Sequence, residues 1–293
     1  MGTAAMRFAI CAAFLAAAVG IANPAASQTV SVPRLELGCA GVVPQPEHLA
    51  GAESFTYSRP AGRDLRIHVF SPPTRKSKRT AVVFFFGGGW RIGRIQTFED
   101  EARALAEQGY VTALADYRVS CRDRSTIDES LADAEAAYAW MRHRSDRLGI
   151  DPARIVMAGT SAGGHIALAA SLLAPADERP AAILLYNPAI DLMRFAKPKE
   201  FEAAKAISPS EMPLENLPPT AIFHGTADRT VSIEEPRAFC ARALAAGADC
   251  ELTEYPGRDH SFFHDKSIDA ALGFAPYSDT LEKSLAFLRA HGL

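Results

Sequence analysis

The chain has 293 residues, of which 48% are hydrophobic and 22% are charged, and its formal charge is −3 at neutral pH. This length and apolar content suffice for one large domain with a substantial core. The nearly balanced, slightly acidic charge argues against a nucleic acid or an anionic membrane surface as partner.

The first 27 residues have the pattern of a secretory signal peptide. Arg7 precedes an apolar run from Phe8 to Ala22, and Ala25-Ala26-Ser27 resembles a signal-peptidase cleavage site. A transmembrane anchor is the alternative, but the run is shorter than the roughly 20 residues that cross a bilayer. We therefore predict a periplasmic or secreted protein with no membrane anchor after cleavage. Because Arg7 is the only charged residue removed, the mature charge is −4.

Four cysteines remain after this cleavage, namely Cys39, Cys121, Cys240 and Cys250. An even number in an exported protein favours disulfides, although four cysteines allow three pairings. Cys240 falls in a helix-like run and Cys250 opens the next strand-like run, so adjacent elements can bring them together. We predict a Cys240–Cys250 bond and, by elimination, a Cys39–Cys121 bond. Zinc is the alternative, but no C-x-x-C spacing supports it, and we expect no metal.

Residues 28–60 are rich in Pro and Gly and predict an irregular N-terminal arm, whereas residues 61–293 predict one catalytic domain. The predicted strands are 65–70, 81–86, 111–115, 154–158, 182–186, 220–224 and 250–255. The predicted helices are 98–108, 127–144, 162–174, 233–246 and 278–291, with an irregular segment at 187–219. This alternation is typical of an α/β fold with a mostly parallel sheet and helices on both faces.

A glycine-flanked serine joins the strand-like run 154–158 to the helix-like run after it. In Gly159-Thr-Ser161-Ala-Gly163 the glycines remove the Cβ atoms that would collide in a sharp strand-to-helix turn. Such a turn exposes the serine hydroxyl and points the amide of Ala162 to where a substrate oxyanion forms. We predict Ser161 as a nucleophile; an inert serine in a Gly-rich turn is the alternative.

The strand-like run 81–86 leads into Gly87-Gly88-Gly89-Trp90. Consecutive glycines let the backbone pass close to a ligand and turn successive N–H groups towards one point, as an oxyanion hole requires. Phosphate binding is the alternative, but the Gly-Lys-Ser/Thr of a P-loop does not follow. A plain loop is the other. We predict Gly88, Gly89 and Ala162 as the oxyanion donors.

The remaining catalytic groups are expected at the carboxyl ends of later strands, where ligands of open α/β sheets bind. Asp228 follows the run 220–224, and His260 follows the run 250–255. A histidine can take the serine proton, and a buried carboxylate orients its ring. The order Ser161, Asp228, His260 is the one found in α/β-hydrolases.

Other side chains compete for these roles. Asp191 also follows a strand and is the alternative acid, whereas Asp259 is too near His260 along the chain to orient it easily. His264 is the alternative base. His165 and His224 are more simply explained as structural hydrogen-bonding residues.

These motifs together resemble the α/β-hydrolase esterases, in particular the hormone-sensitive-lipase-like and BD-FAE-like acetyl esterases. The matching pieces are Phe86-Gly-Gly-Gly-Trp90, Asp116-Tyr-Arg118, Gly159-Thr-Ser-Ala-Gly-Gly164, Leu217-Pro-Pro-Thr220, His224-Gly-Thr-Ala-Asp228 and Gly257 to Phe263. The resemblance spans about Leu65 to Leu293. It implies a carboxylic-ester hydrolase that acts on a small-molecule ester without a cofactor, and many such relatives act on acetylated sugars.

One position departs from the family pattern. Phe86 stands where the common lipase–esterase motif has a histidine that braces the glycine turn by hydrogen bonds. We expect packing of Phe86 to supply that brace.

We therefore expect a serine carboxylesterase that hydrolyses short-chain, chiefly acetyl, esters. Esters of carbohydrates are candidate substrates. A serine peptidase of the same fold and a non-catalytic binding relative are the alternatives. Neither 28–60 nor 187–219 shows the long amphipathic helices of a deep lipase lid. A shallow acyl pocket follows, with Trp90 and the phenylalanines near His260 as its expected walls.

Overall fold

The structure is a computed structural model that describes Met1 and residues 39–293 apart from 41, 74–76, 197–199 and 271. Apart from Met1, the predicted signal peptide 1–27 lies outside the described residues, as do residues 28–38 of the predicted arm.

Eight strands form one sheet. They are β1 (Glu53–Ser58), β2 (Leu65–Phe70), β3 (Ala81–Phe85), β4 (Val111–Ala115), β5 (Ile155–Thr160), β6 (Ala182–Tyr186), β7 (Thr220–Gly225) and β8 (Cys250–Tyr255). Their spatial order is β1-β2-β4-β3-β5-β6-β7-β8. The first two strands pair antiparallel, β2 also pairs antiparallel with β4, and the remaining pairs are parallel. The predicted α/β fold is confirmed.

Within the residues that the structure describes, eight α-helices connect and cover these strands. They are α1 (Glu99–Glu107), α2 (Ser120–Asp123), α3 (Ile127–His143), α4 (Ser145–Leu148), α5 (Ala162–Leu173), α6 (Phe201–Ile207), α7 (Glu234–Ala245) and α8 (Pro276–Ala290). The helix α5 is buried along most of its length because it packs on β5, β3 and β6 and is itself covered by α3. It therefore accepts an apolar composition throughout, unlike a surface helix with one polar face.

The central strands are buried on both faces. Every residue of β3, β4, β5, β6 and β7 is buried, which explains their continuous apolar runs in the sequence. Their carboxyl ends all meet at one edge of the sheet, and the turns that leave this edge carry the candidate site.

Two segments contain more regular structure than the sequence predicts. The strand β1 lies within 28–60, where an irregular arm is expected, and it adds to the sheet because Phe55 and Tyr57 alternate with polar residues and pack against the core. The helix α6 lies within 187–219, where Ala203 and Ala204 bury one face of a short helix.

The cysteines pair as the sequence predicts. Cys39 bonds to Cys121 on α2, across 82 residues, and Cys240 on α7 bonds to Cys250 at the start of β8. Within the described part of the chain, no helix has both the length and the apolar character needed to cross a membrane.

Candidate active site

Ser161 lies at the turn between β5 and α5, in an unusual backbone conformation with φ 52° and ψ −120°. The neighbouring glycines are required by close backbone contacts. A Cβ atom at Gly163 would lie 2.2 Å from the carbonyl oxygens of Phe85 and Phe86, and one at Gly159 would lie 2.3 Å from the Gly163 oxygen. The sequence thus produces a strained strand-to-helix turn that holds the serine at the end of the sheet.

The glycine turn after β3 is equally constrained. Gly88 and Gly89 have φ values of 132° and 62°, and a Cβ at Gly88 would lie 2.1 Å from the Ile92 oxygen. The amides of Arg91 and Ile92 both donate to the Gly88 carbonyl at 3.2 Å and close the turn. Only glycine fits these positions without strain, so the turn brings bare backbone to the edge of the site.

Packing holds this turn where the family pattern has a histidine. The Phe86 ring stacks on Tyr117 with 4.1 Å between ring centroids and 17° between planes. The Tyr117 hydroxyl also donates to the Phe86 carbonyl oxygen at 2.7 Å. The expected packing brace therefore exists, and the tyrosine of the Asp116-Tyr-Arg118 motif supplies it together with a hydrogen bond.

A second set of contacts holds Trp90. Its indole Nε1 donates to His165 Nδ1 at 3.2 Å, while His165 Nε2 bonds to the Ile207 carbonyl at 2.8 Å. Burial lowers the pKa of His165 to about 4, so the ring is neutral and its two nitrogens serve as one acceptor and one donor. His165 thus joins the glycine turn, α5 and the end of α6, as its predicted structural role requires.

Asp228 and His260 form a direct pair. His260 Nδ1 lies 2.6 Å from Asp228 Oδ2, and the aspartate side chain is fully buried while that of His260 is 19% exposed. The other carboxylate oxygen accepts the backbone amides of Thr230 and Val231 at 2.8 and 2.9 Å. These two amides fix the position of the Asp228 carboxylate, independently of its bond to His260.

Donors around Asp228 determine its charge. Burial by itself raises the pKa of Asp228, but hydrogen bonds from His224, His260 and the Val231 amide outweigh it and hold the pKa well below its ordinary value. His224 Nε2 lies 3.3 Å from Oδ2 and 3.0 Å from the Val231 carbonyl. Asp228 is therefore a carboxylate at neutral pH.

Part of the predicted site lines one cavity of about 570 Å³. Its walls include Ser161, the turn Gly87–Gly89, and His260. Trp90 and Phe195 form an apolar wall, and their rings meet edge to face with 6.1 Å between centroids. Ser161, His260 and the glycine turn thus face the same space, at the carboxyl ends of β5, β8 and β3.

The alternative acid and base occupy other positions. The Asp191 carboxylate bonds to the Met193 amide and Ser210 rather than to a histidine. Asp259 forms an ion pair with Arg229. His264 lines the cavity but lies beside Glu101, away from Asp228.

The expectation that phenylalanines near His260 form the pocket wall is wrong. Phe262 and Phe263 are buried, and they pack on Tyr255 and Tyr186 at 4.4 and 4.8 Å between ring centroids. Their rings complete the core behind the site because the chain turns them inward after His260.

Asn187 is a contact that sequence reasoning missed. It directly follows β6, and its amide donates to Asp228 Oδ2 at 3.2 Å from within the core. Its position at the carboxyl end of a buried strand, like that of Asp228, was the available signal. The strand order β6-β7 brings the two side chains together.

Comparison with known proteins agrees with this geometry. Residues 82–214 match the α/β hydrolase fold family. The chain is 28% identical over 260 residues to carboxylesterase NlhH of Mycobacterium tuberculosis, which covers 77% of this chain and 78% of the relative. It is 25% identical over 269 residues to isoprenylcysteine alpha-carbonyl methylesterase ICME of Arabidopsis thaliana, covering 78% of this chain and 62% of that relative.

Solved structures give a stronger match. The apo form of Thermogutta terrifontis esterase 2 aligns with a TM-score of 0.75 and 35% identity over 84% of this chain and 96% of the esterase. The butyrate-bound form aligns with a TM-score of 0.73 and 35% identity, over 83% and 95% of the two chains. Fold and site thus define an esterase of the α/β-hydrolase class. The chain belongs to the α/β hydrolase fold family and is a carboxylesterase.

Proposed function

We propose that this carboxylesterase hydrolyses short-chain esters, chiefly acetyl esters, through an acyl-enzyme formed on Ser161. His260 is the base, and Asp228 is the carboxylate that orients it. The observation that carries the proposal is the 2.6 Å bond between His260 Nδ1 and the buried Asp228 carboxylate, at a cavity that Ser161 also lines. A carboxylate on Nδ1 fixes the tautomer that leaves Nε2 free to accept the serine proton.

In the first step Ser161 Oγ bonds to the ester carbonyl carbon while its proton passes to His260. The carbonyl oxygen becomes an oxyanion, and the imidazolium is stabilised by Asp228. Collapse of this intermediate breaks the bond to the alcohol oxygen, which takes the proton from His260 and leaves. The acyl group then remains as an ester of Ser161.

The amides of Gly88, Gly89 and Ala162 are the proposed oxyanion donors. Ala162 is the first residue of α5, so its amide has no acceptor within the helix and lies at the positive end of the helix dipole. The positive φ values of Gly88 and Gly89 allow the turn to direct its amides into the cavity. Losing one such donor typically costs about 3–4 kcal/mol of transition-state stabilisation.

Water completes the cycle. It gives a proton to His260, attacks the acyl carbon and forms a second oxyanion at the same amides. Collapse returns the proton to Ser161 and releases a carboxylic acid, so the sum of both steps is hydrolysis of one ester by one water.

The apolar walls of the cavity support a short acyl chain. Trp90 and Phe195 close one side of it, and the Trp90 ring is fixed by His165. The Thermogutta terrifontis esterase has been solved with propionate and with butyrate bound. We expect p-nitrophenyl acetate and butyrate to be hydrolysed best, with kcat/KM falling about tenfold or more by the octanoate as the pocket gives the added methylenes no apolar contact.

The test compares the wild type with Ser161→Ala. Removal of the nucleophile should lower kcat/KM for p-nitrophenyl acetate by about 10⁴-fold or more. A fluorophosphonate should add one label to the wild type and none to the variant. Retained activity in Ser161→Ala would disprove the mechanism. Faster cleavage of matched amides than of esters would instead identify a peptidase, and a wild type that neither reacts nor hydrolyses would identify a binding relative.

We also propose that the protein is exported to the periplasm or medium. Two disulfides support this, since such bonds persist in oxidising compartments. N-terminal sequencing of the mature protein should begin at or near Gln28, and an intact N-terminus in the cytoplasm would contradict the proposal.

A further inference from the structure

His264 lies in the same cavity wall as His260, four residues further along the chain. The base returns its proton to the leaving oxygen, so the alcohol half of a bound ester lies on the His260 side of the scissile bond. Since His264 lines the same cavity four residues beyond His260, we assign it to the alcohol side, and its side chain is 39% exposed.

Behind His264 lies a carboxyl group with unusual surroundings. The Glu101 side chain on α1 is only 3% exposed, and neither of its oxygens has a hydrogen-bond partner among the described residues. Burial raises the pKa of Glu101 to about 8, so the group is largely protonated at neutral pH. A buried carboxyl whose oxygens form no hydrogen bond costs stability, and its presence in the protein interior requires an explanation.

The surroundings leave His264 as the polar group nearest to Glu101 on the cavity side. Its Nδ1 lies 3.8 Å from Glu101 Oε1, slightly beyond hydrogen-bond distance. The imidazole packs on Phe263 at 3.9 Å and near Phe98 at 6.3 Å between ring centroids. Lys266 and Asp100 pair with each other on the exposed side.

The geometry of the ring then assigns each nitrogen. Nδ1 faces Glu101, so Nε2 is the nitrogen left for the cavity. Burial lowers the pKa of His264, which favours the neutral ring with one donor and one acceptor. A shift of about 1 Å brings His264 Nδ1–H into hydrogen-bond distance of the side-chain oxygen Oε1 of Glu101. Nε2 then carries no proton and is an acceptor.

We propose that His264, positioned by Glu101, is a hydroxyl-binding site for the alcohol half of the substrate. The preferred esters then carry a free hydroxyl close to the ester oxygen, as esters of polyols and sugars do. A substrate hydroxyl donates to His264 Nε2, while Nδ1–H donates to Glu101. This inference rests on the proposed esterase mechanism, and it adds the chemical class of the alcohol.

The test uses two substrates with the same acyl group, 2-hydroxyethyl butyrate and ethyl butyrate, which differ by one hydroxyl. The wild type should prefer the hydroxyethyl ester by about tenfold in kcat/KM, since a site built to bond a hydroxyl discriminates against its absence. His264→Phe keeps the stacking on Phe263 but has no acceptor. It should reduce the preference to about onefold, through a lower kcat/KM for the hydroxyethyl ester.

Variants of Glu101 separate positioning from packing. Glu101→Gln retains an amide oxygen that can accept from Nδ1–H, so the preference should survive. Glu101→Leu removes the acceptor and should abolish it. Thr97→Val is the matched control, because Thr97 lines the same cavity and its hydroxyl already bonds to the Arg94 carbonyl at 2.7 Å.

Each result has a defined meaning. A wild type that hydrolyses both esters equally, or a preference that persists in both His264→Phe and Glu101→Leu, overturns the inference and leaves the esterase mechanism intact. A wild type that hydrolyses no ester, p-nitrophenyl acetate included, overturns the proposed function and this inference with it.

Discussion

Two pairs of an acidic residue and a histidine line or adjoin the same cavity, and the two carboxyl groups differ in protonation at neutral pH. Asp228 meets His260 at 2.6 Å and its pKa is held well below the ordinary value. Glu101 lies 3.8 Å from His264 and burial raises its pKa to about 8. Both side chains are almost fully buried, so depth alone does not explain the difference.

The number of donors explains it. Backbone amides, an asparagine and two histidines surround Asp228, whereas the Glu101 oxygens have no hydrogen-bond partner within the described residues. Burial favours the neutral acid in both cases, and only hydrogen bonds to the charged form reverse that preference. The comparison shows how the surroundings of one cavity keep one acid charged beside His260 and another neutral beside His264.

The largest expected effect comes from removing the charged acid. Asp228→Asn should reduce kcat/KM for p-nitrophenyl acetate by about 10³- to 10⁴-fold, because His260 loses the carboxylate that fixes its tautomer and stabilises its imidazolium. Glu101→Gln should change the same parameter by less than about threefold. Steady-state kinetics of both variants checks this, and similar losses in the two would show that the pairs are not functionally distinct.

The next prediction concerns how the free energy of unfolding depends on pH. The unfolded chain ionises Glu101 near pH 4.5, while the folded protein keeps the proton until about pH 8. The unfolded state thus binds fewer protons between these values, and raising the pH through this window should lower the unfolding free energy by on the order of 3 kcal/mol. Urea unfolding at pH 5 to 8 measures it.

Glu101→Gln has no proton to lose, so its unfolding free energy should vary less over the same window. Glu107→Gln, an exposed change on the same helix, is the control and should follow the wild type. Parallel curves for wild type and Glu101→Gln would refute the assigned protonation. Asp228 has the opposite sign, because its lowered pKa stabilises the folded state above about pH 4 and that contribution is lost as the pH falls further.

The smallest expected effect tests one donor to Asp228. His224→Leu removes the Nε2 donor near Oδ2, and kcat should fall about fivefold with little change in KM, because four other donors remain, from Asn187, Thr230, Val231 and His260. His224→Gln places an amide nitrogen in a similar position and should recover most of the rate. A loss in KM rather than kcat would mean that His224 acts on substrate binding.

The residues that could be found from the sequence lie where backbone geometry dictates chemistry. Ser161 stands between two glycines that the turn requires. Asp228 follows the buried strand β7 and His260 follows the neighbouring β8, and the carboxyl ends of these parallel strands share one edge of the sheet. In each case the local pattern and the position in the sheet point to the same residue.

What could not be found depends on contacts between distant segments. Glu101 belongs to the acidic first turn of α1, and its spacing from Ala102 and Leu105 places it on the buried face, but that spacing does not show that it lies beside His264. Packing of α1 on β4 and β2 determines where the Glu101 side chain lies.

The strand β1 was detectable from the sequence, since Phe55 and Tyr57 alternate with polar residues, but the pattern is short.

The bond between Cys39 and Cys121 has a consequence for the unfolded chain. The segment between them, residues 40–120, contains β1 to β4 and the glycine turn, and the amide of Cys121 donates to the Arg91 carbonyl at 3.1 Å. A disulfide lowers the conformational entropy of the unfolded chain, and this effect grows with the number of residues in the closed loop. The Cys39–Cys121 bond therefore holds together the two ends of the segment that carries the first half of the sheet, even when that half is unfolded.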